Sequence, residues 1–396
     1  MLNQNTLREA TRLTQAGQLT EATALLQSMF RGEPVPAGSS AAPLRISLPG
    51  RTPPTIDLKA NDLGEVNRAV RAEASTAIPR RSRPLFDRAK DGTWLGLRGV
   101  KRAPASITDI VPEGAKFVEG TYSNAAGSRT YKLFVPTGYQ GQPLPLIVML
   151  HGCTQSPEDF AAGTRMNFIA EEQTCLVVYP AQGSDANPSK CWNWFRRSDQ
   201  QRGAGEPSLI AGITRQVMHD YSVDPKRVYV AGLSAGGAAA AIMGTTYSDL
   251  YAAVGIHSGL AYGAATDMPS AYAVMRQGGA SGRRDIVGNE PPVPTIIFHG
   301  DRDTTVHPNN GGQVLEQIIG RTSTQKTVHR GRIPEGHEYT RTVHIDMGGR
   351  EILEHWSIHG GAHAWSGGSP SGSYTDPRGP DATREMLRFF LRHRLP

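Results

Sequence analysis

Ser234 stands between two kinds of sequence, the run Val228-Tyr229-Val230 and the alanines from Ala238 to Ala241, with Gly232 and Gly236 on either side. β-Branched and aromatic residues favour a strand and alanines a helix, so "RVYVAGLSAGGAAAAIMG" reads as strand, sharp turn, helix. G-x-S-x-G in that setting is a nucleophile elbow: the serine is held in a strained pose with its oxygen exposed, and the first amides of the helix point at whatever it attacks. A hydroxyl is a weak nucleophile and needs a histidine to take its proton and an acid to orient that histidine. "IIFHGDRDTTV" places Asp301 and Asp303 just past one strand, and "SIHGGAHAWSGG" places His359 and His363 just past another. Asp303 is the expected acid because it lies a short loop beyond its strand; Asp301, nearer the strand, is expected to tie that loop down. His363 is the expected base because Gly360 and Gly361 let a loop carry it over the serine, whereas His359 is still on the strand. His257 and His299, also on strands, read as core histidines.

Acyl transfer also needs donors for the oxyanion. The Ala235 amide, directly after the serine, is one. "LHGCTQSPEDF" follows an earlier apolar strand, and its His151-Gly152 turn lets the Cys153 amide face the serine. A nucleophilic Cys153 thiol is the weaker reading, since a full serine constellation exists elsewhere. Trp192 and Trp194 in "CWNWF", and Trp365 two residues after His363, are candidates to wall an apolar groove, with ordinary core packing the alternative, most of all for Trp194.

These groups need a frame. From Phe117 onward "TYKLFVP", "PLPLIVMLHG", "TCLVVYPAQG", "RVYVAGLS", "YAAVGIHSG", "PTIIFHGD" and "EILEHWSIHG" read as strands, and Leu209 to Tyr221, Ala235 to Tyr247, Gly312 to Ile319 and Ala382 to His393 as helices. Apolar strands alternating with helices indicate an α/β domain with a buried, mostly parallel sheet, whose reactive groups gather at the carboxyl ends of the strands. The chain order serine, acid, histidine is that of α/β-hydrolases. No large lid is visible. Leu260 to Pro294 is the only roomy excursion between strands, which implies an open site suited to bulky esters.

The rest of the chain has another texture. Residues 1–30 carry apolar positions at helical spacing and read as a helical N-terminal segment; residues 31–116, rich in Pro, Gly, Ala and Arg, read as a poorly ordered linker; residues 117–396 form the catalytic domain. The linker holds 15 Lys/Arg against 9 Asp/Glu, a surplus equal to the formal net charge of +6 on the whole chain. Its arginines are scattered without aromatic interleaving, so nucleic-acid binding is not expected. No apolar run is long enough to span a membrane, and the N-terminus lacks an apolar signal core, which points to the cytoplasm. No metal-ligand spacing, phosphate loop or dinucleotide fingerprint occurs, so neither metal nor organic cofactor is expected.

The pieces "HGCTQSPEDFA", "CWNWF", "GLSAGG", "HGDRDTTV" and "GGAHAWSGG", in order over about residues 117–390, resemble the esterases of the polyhydroxybutyrate depolymerase family, related in fold to feruloyl and acetylxylan esterases. The resemblance implies an α/β-hydrolase fold, Ser234 as nucleophile, Asp303 as acid, His363 as base, and the Cys153 amide in the oxyanion hole. Thr154, Gln155, Trp192 and Trp365, within or beside these motifs, are the expected substrate-binding residues. The implied substrate is an ester, polymeric or not: hydroxyalkanoate esters or oligomers ahead of feruloyl or acetyl esters of plant polysaccharide, with a non-catalytic binding module as the remote alternative. Ala362 and Ser366 depart from the family's usual glycine before the histidine and proline after the tryptophan, which bears on substrate preference. Cys153 and Cys191 both belong to family motifs, so a Cys153–Cys191 bridge is the first expectation, a Cys175–Cys191 bridge the second, and three reduced thiols the reading for a cytoplasmic protein.

Overall fold

The computed structural model describes residues 106–278, 292–320 and 322–396. The expected helical segment 1–30 and linker residues 31–105 lie outside the described residues. The sheet has ten strands: β1 (Lys116–Asn124), β2 (Gly127–Val135), β3 (Leu144–Leu150), β4 (Leu176–Pro180), β5 (Val223–Leu233), β6 (Ala253–His257), β7 (Thr295–Gly300), β8 (Thr324–Arg332), β9 (Glu338–Asp346) and β10 (Glu351–His359), in the spatial order β1-β2-β4-β3-β5-β6-β7-β10-β9-β8. Six neighbouring strands from β4 to β10 run parallel, and an antiparallel pair closes each edge.

Sequence dictates which strands are central. β3 (LPLIVML), β6 (AVGIH) and β7 (TIIFHG) are buried at every residue, because helices cover both faces of a parallel sheet. Alternate residues of β3 enter different cores: Leu146, Val148 and Leu150 one, Ile147 and Met149 the other. The eight helices are α1 (Ile107–Ile110), α2 (Pro157–Thr164), α3 (Met166–Gln173), α4 (Gly205–Asp220), α5 (Ala235–Thr246), α6 (Met268–Gln277), α7 (Asn309–Ile319) and α8 (Ala382–Phe390) among the described residues.

All seven strands expected from apolar runs are present, β1, β8 and β9 are additional in the same sheet, and Trp365–Ser366 pairs with Thr375–Asp376 in a separate two-stranded one. β8, TQKTVHRGR, is almost wholly exposed at the sheet edge, and its charges hide it from a reading that looks for apolar runs. α1 lies in the stretch expected as linker. Ile110 is buried, and its carbonyl accepts from Asn167 Nδ2 at 2.9 Å, so residues 106–116 belong to the folded unit.

Candidate active site

The strand β5 runs straight into the helix α5, and Ser234 is the hinge, with φ 58° and ψ −119°. A side chain at positive φ is strained, and such strain persists only where the surroundings enforce it. Here they do. A Cβ at Gly232 would lie 2.3 Å from the Gly236 carbonyl, and a Cβ at Gly236 would lie 2.0 Å from the Leu150 carbonyl oxygen, so both positions admit only glycine. The Ser234 N–H donates to the His257 carbonyl at 2.9 Å, which ties the elbow to the end of β6.

The expected acid and base sit at the carboxyl ends of the neighbouring parallel strands β7 and β10. His363 Nδ1–H donates to Asp303 Oδ2 at 2.7 Å, with the His363 side chain 6% and the Asp303 side chain 0% exposed. Asp303 Oδ1 accepts the Thr305 and Val306 amides, each at 2.9 Å. Burial alone would push the carboxyl up; the charge and hydrogen bond of His363, together with His299 and the Val306 amide, outweigh it and hold the group below the ordinary carboxylate value. The two loops are zipped together, Asp301 N–H donating to Ile358 O and Arg302 N–H to Gly361 O, each at 3.0 Å. Asp301 accepts the Gly360 amide at 2.7 Å and pairs with His359 Nδ1 at 3.0 Å on the surface. It therefore ties the loop, as its place close to the strand suggests.

Three buried histidines, His151, His257 and His299, are held by hydrogen bonds inside the fold. His151 donates from Nδ1 to Gly152 O at 2.8 Å and accepts the Gln182 amide at Nε2 at 3.0 Å, a network that assigns its tautomer and braces the loop carrying Cys153. His257 accepts the Ser366 amide at 3.0 Å and stacks on Trp365 and Phe298. His299 Nε2–H donates to Val306 O at 2.8 Å beneath Asp303.

Burial lowers His151 to about 4, His257 to about 3 and His355 to about 4, from 6.5. The unfolded chain binds these protons first. Stability is therefore whole above about pH 6.5 and is lost as pH falls from there toward 4, each histidine costing up to about 3 kcal/mol. Thermal unfolding followed from pH 8 to pH 4 should show a steep fall in midpoint below 6.5; a midpoint constant between pH 7 and pH 5 would contradict these assignments.

The loop after β3 lies against the elbow: a Cβ at Gly152 would be 3.7 Å from Ser234 Cβ. Cys153 is bonded to Cys191, the first of the pairings expected. Cys175 is buried and unpaired, its thiol pushed up to about 12 by burial. The bridge joins the loop after β3 to the "CWNWF" segment, which Glu206 of α4 holds by accepting the Asn193 amide and Asn193 Nδ2, each at 2.6 Å. Burial first, then the nearby Asp199, pushes the Glu206 carboxyl up. Nothing in "GEPS" marks that carboxylate beforehand; only the packed loop reveals it.

Ser234 lines an apolar cleft with the Cys153–Cys191 bridge, Trp194, Phe195, Leu260, Val306 and the α6 residues Met268 and Met275. Its free volume is about 10 Å³, room for roughly one water. The excursion after Leu260 contains α6, started by Asp267 accepting the Ser270 amide at 2.8 Å, and this helix walls the cleft.

Three expected substrate contacts are corrected. Trp192 is 0% exposed and donates from its indole to His151 O at 3.1 Å, and Trp365 is 1% exposed and donates to Thr383 Oγ1 at 2.9 Å. Both are core residues with their polar atom satisfied inside, and Trp194 is the tryptophan that reaches the cleft. Gln155 is buried, its Oε1 accepting the Gly152 amide at 2.9 Å and its Nε2 donating to Asp159 at 2.9 Å, so it shapes the loop. Thr154 alone of the four is exposed, at φ 67°, with its hydroxyl 3.0 Å from that of Tyr374.

The family described as Esterase PHB depolymerase matches residues 129–338, more than half of the chain. Poly(3-hydroxyalkanoate) depolymerase C of Paucimonas lemoignei is 34% identical over 238 residues, covering 58% of this chain and 56% of that protein. Feruloyl esterase B of Neurospora crassa is 29% identical over 239 residues, covering 57% of this chain and 80% of that protein. The chain thus spans little more than half the length of the depolymerase. Among solved structures, an acetyl xylan esterase from Aspergillus awamori superposes with a TM-score of 0.55 at 19% identity, over 70% of this chain and 99% of that one. That likeness shows the α/β-hydrolase fold. A family match across residues 129–338, on a sheet that ends in a G-x-S-x-G elbow, establishes that this chain belongs to the PHB depolymerase esterase family.

Proposed function

We propose that this protein is a serine ester hydrolase that works through an acyl-enzyme on Ser234, with short hydroxyalkanoate esters or oligomers as its substrates. The observation that carries the reading is the buried His363–Asp303 pair at the ends of β10 and β7, on the sheet whose strand β5 leads into a strained serine that lines an apolar cleft. Ser234 Oγ attacks the ester carbonyl, His363 Nε2 takes its proton and later gives it to the leaving alcohol, and Asp303 keeps the Nδ1 proton in place. Water then repeats the sequence on the acyl-enzyme. The Cys153 and Ala235 amides donate to the oxyanion; among the described residues neither donates to a backbone carbonyl, which suits this role. Of the side chains expected to bind substrate, exposed Thr154 remains beside that hole.

The narrow cleft favours a small aliphatic acyl group over an aromatic one. The likeness to the feruloyl esterase, matched over most of that protein, supports feruloyl or acetyl esters of plant polysaccharide as the second reading. Comparing kcat/KM on nitrophenyl acetate, butyrate and 3-hydroxybutyrate, methyl ferulate and acetylated xylan separates the two. The 3-hydroxybutyrate ester should exceed methyl ferulate by at least about tenfold, in line with the 1–3 kcal/mol by which a hydrophobic pocket discriminates; the reverse order would favour the second reading. The Cys153–Cys191 bridge supports work in an oxidising compartment in place of the cytoplasm that the N-terminus suggests.

A further inference from the structure

Four residues of α6, Met268, Ala271, Tyr272 and Met275, line the cleft together with Ser234. Offsets of three, four and seven residues from Met268 put them on one stripe of the helix. Met268 is half-buried and Tyr272 exposed, whereas Ala271 is 3% and Met275 8% exposed. Met268 can therefore turn aside toward water, while Met275 can only repack inside.

The helix is fixed beside the elbow at both ends. Ahead of it, the buried Gln200 donates from Nε2 to Ala265 O and to Trp194 O, each at 2.7 Å, which joins the approach to α6 to the "CWNWF" segment. At its far end, His307 N–H donates to Met275 O at 2.7 Å and Asn310 Nδ2 to Val274 O at 3.0 Å. Val306, next to that clamp, lines the cleft and donates its amide to Asp303 at 2.9 Å. α6 is thus a wall held against the loop of the expected acid.

With a free volume of about 10 Å³, the cleft admits an alkyl chain only when a lining side chain moves. The Cys153–Cys191 bridge and the buried rings of Trp194 and Phe195 are stiff, but an unbranched thioether adapts. We propose that the acyl chain carried by Ser234 lies over Ala271, in the space that Met268 vacates, and ends against Met275, so that Met275 limits the substrate to short acyl groups. The inference rests on the reading of the chain as a serine ester hydrolase and deepens it. Ala271 and Met275 are four residues apart, about 6 Å along the helix at about 1.5 Å per residue, close to the length of a butyryl or 3-hydroxybutyryl group. An octanoyl chain has to displace a buried side chain whose backbone is clamped.

The test is kcat/KM on nitrophenyl acetate, butyrate and octanoate, taken as ratios within one preparation so that the folded fraction cancels. The wild-type protein should prefer butyrate to octanoate by about tenfold or more. Met275→Ala should narrow that preference by about tenfold, the lower end of what one methylene changes in an apolar pocket. Met275→Leu, of similar bulk, should stay within about threefold of the wild-type ratio. Ala271→Leu fills the space the chain needs and should lower the butyrate-to-acetate ratio by about tenfold. Butyl and octyl acetate vary the alcohol alone, and Met275→Ala should move their ratio by less than about twofold. An unchanged butyrate-to-octanoate ratio in Met275→Ala, an unchanged butyrate-to-acetate ratio in Ala271→Leu, or a shift confined to the alkyl acetates overturns this placing of the acyl chain and leaves the hydrolase reading standing. Turnover of none of these esters by the wild-type protein overturns the hydrolase reading and the acyl stop with it.

Discussion

Ser234→Ala loses ester hydrolysis by about 10⁴-fold or more in kcat while its unfolding midpoint moves by a degree or two at most. The chemical loss follows from removing the atom that carries the acyl group. A second nucleophile is not at hand at this spot, because the neighbouring Cys153 sulfur is held in its bridge with Cys191. The small structural effect follows from the backbone. Alanine and serine both carry a Cβ, so the strain at φ 58° is the same in both, and Gly232, Gly236 and the bond to the His257 carbonyl still enforce the turn. The check is turnover of nitrophenyl butyrate together with a thermal melt. Activity within about tenfold of wild type in a folded protein would remove Ser234 from the mechanism.

Asp303→Asn should cost about 10⁴-fold in kcat, and Asp301→Asn only a few-fold with a modest loss of stability. The difference lies in what each carboxylate holds. Asp303 Oδ1 accepts two amides, from Thr305 and Val306, and an asparagine keeps its oxygen there. Its NH₂ then turns toward His363, Nδ1 must accept in place of donating, and the ring proton moves to Nε2, where it cannot receive another from Ser234. At Asp301 the oxygen of an asparagine still accepts the Gly360 amide, and the NH₂ meets His359, a surface residue held on its other side by Thr340 at 2.9 Å. Measuring kcat and the melting midpoint for both variants decides the matter. If Asp301→Asn proves the more damaging to kcat, the acid belongs to the Asp301–His359 pair.

The elbow was legible from residues alone because each of its requirements is local. β-Branched residues make the strand, alanines make the helix, and the crowding that demands glycine arises at the turn and at the adjoining strand end. The pairing of the expected acid and base was legible for a related reason: in a parallel sheet the carboxyl ends gather on one side, so polar residues just past apolar strands end up near each other. The distinction between Asp303 and Asp301 came from the length of loop after the strand.

Burial is a different kind of property, since it depends on what arrives from elsewhere in the chain. Trp365 looks like a site residue from its place beside His363, yet Phe160, His257 and Thr383 enclose it. Gln155 looks like part of a binding motif, but Asp159 and Ser373 draw it into the loop. α6 hides in a stretch that composition marks as loop, and it forms because its apolar residues Ala271, Val274 and Met275 find the core and cleft to cover. Edge strands β8 and β9 carry charge and threonine because one side of them meets water, so only pairing with β10 defines them. The sequence by itself therefore determined the family motifs, the central sheet and the candidate triad. The tertiary structure decided which aromatic rings reach the cleft at Ser234 and how much room they leave, because those follow from contacts between residues far apart in the chain.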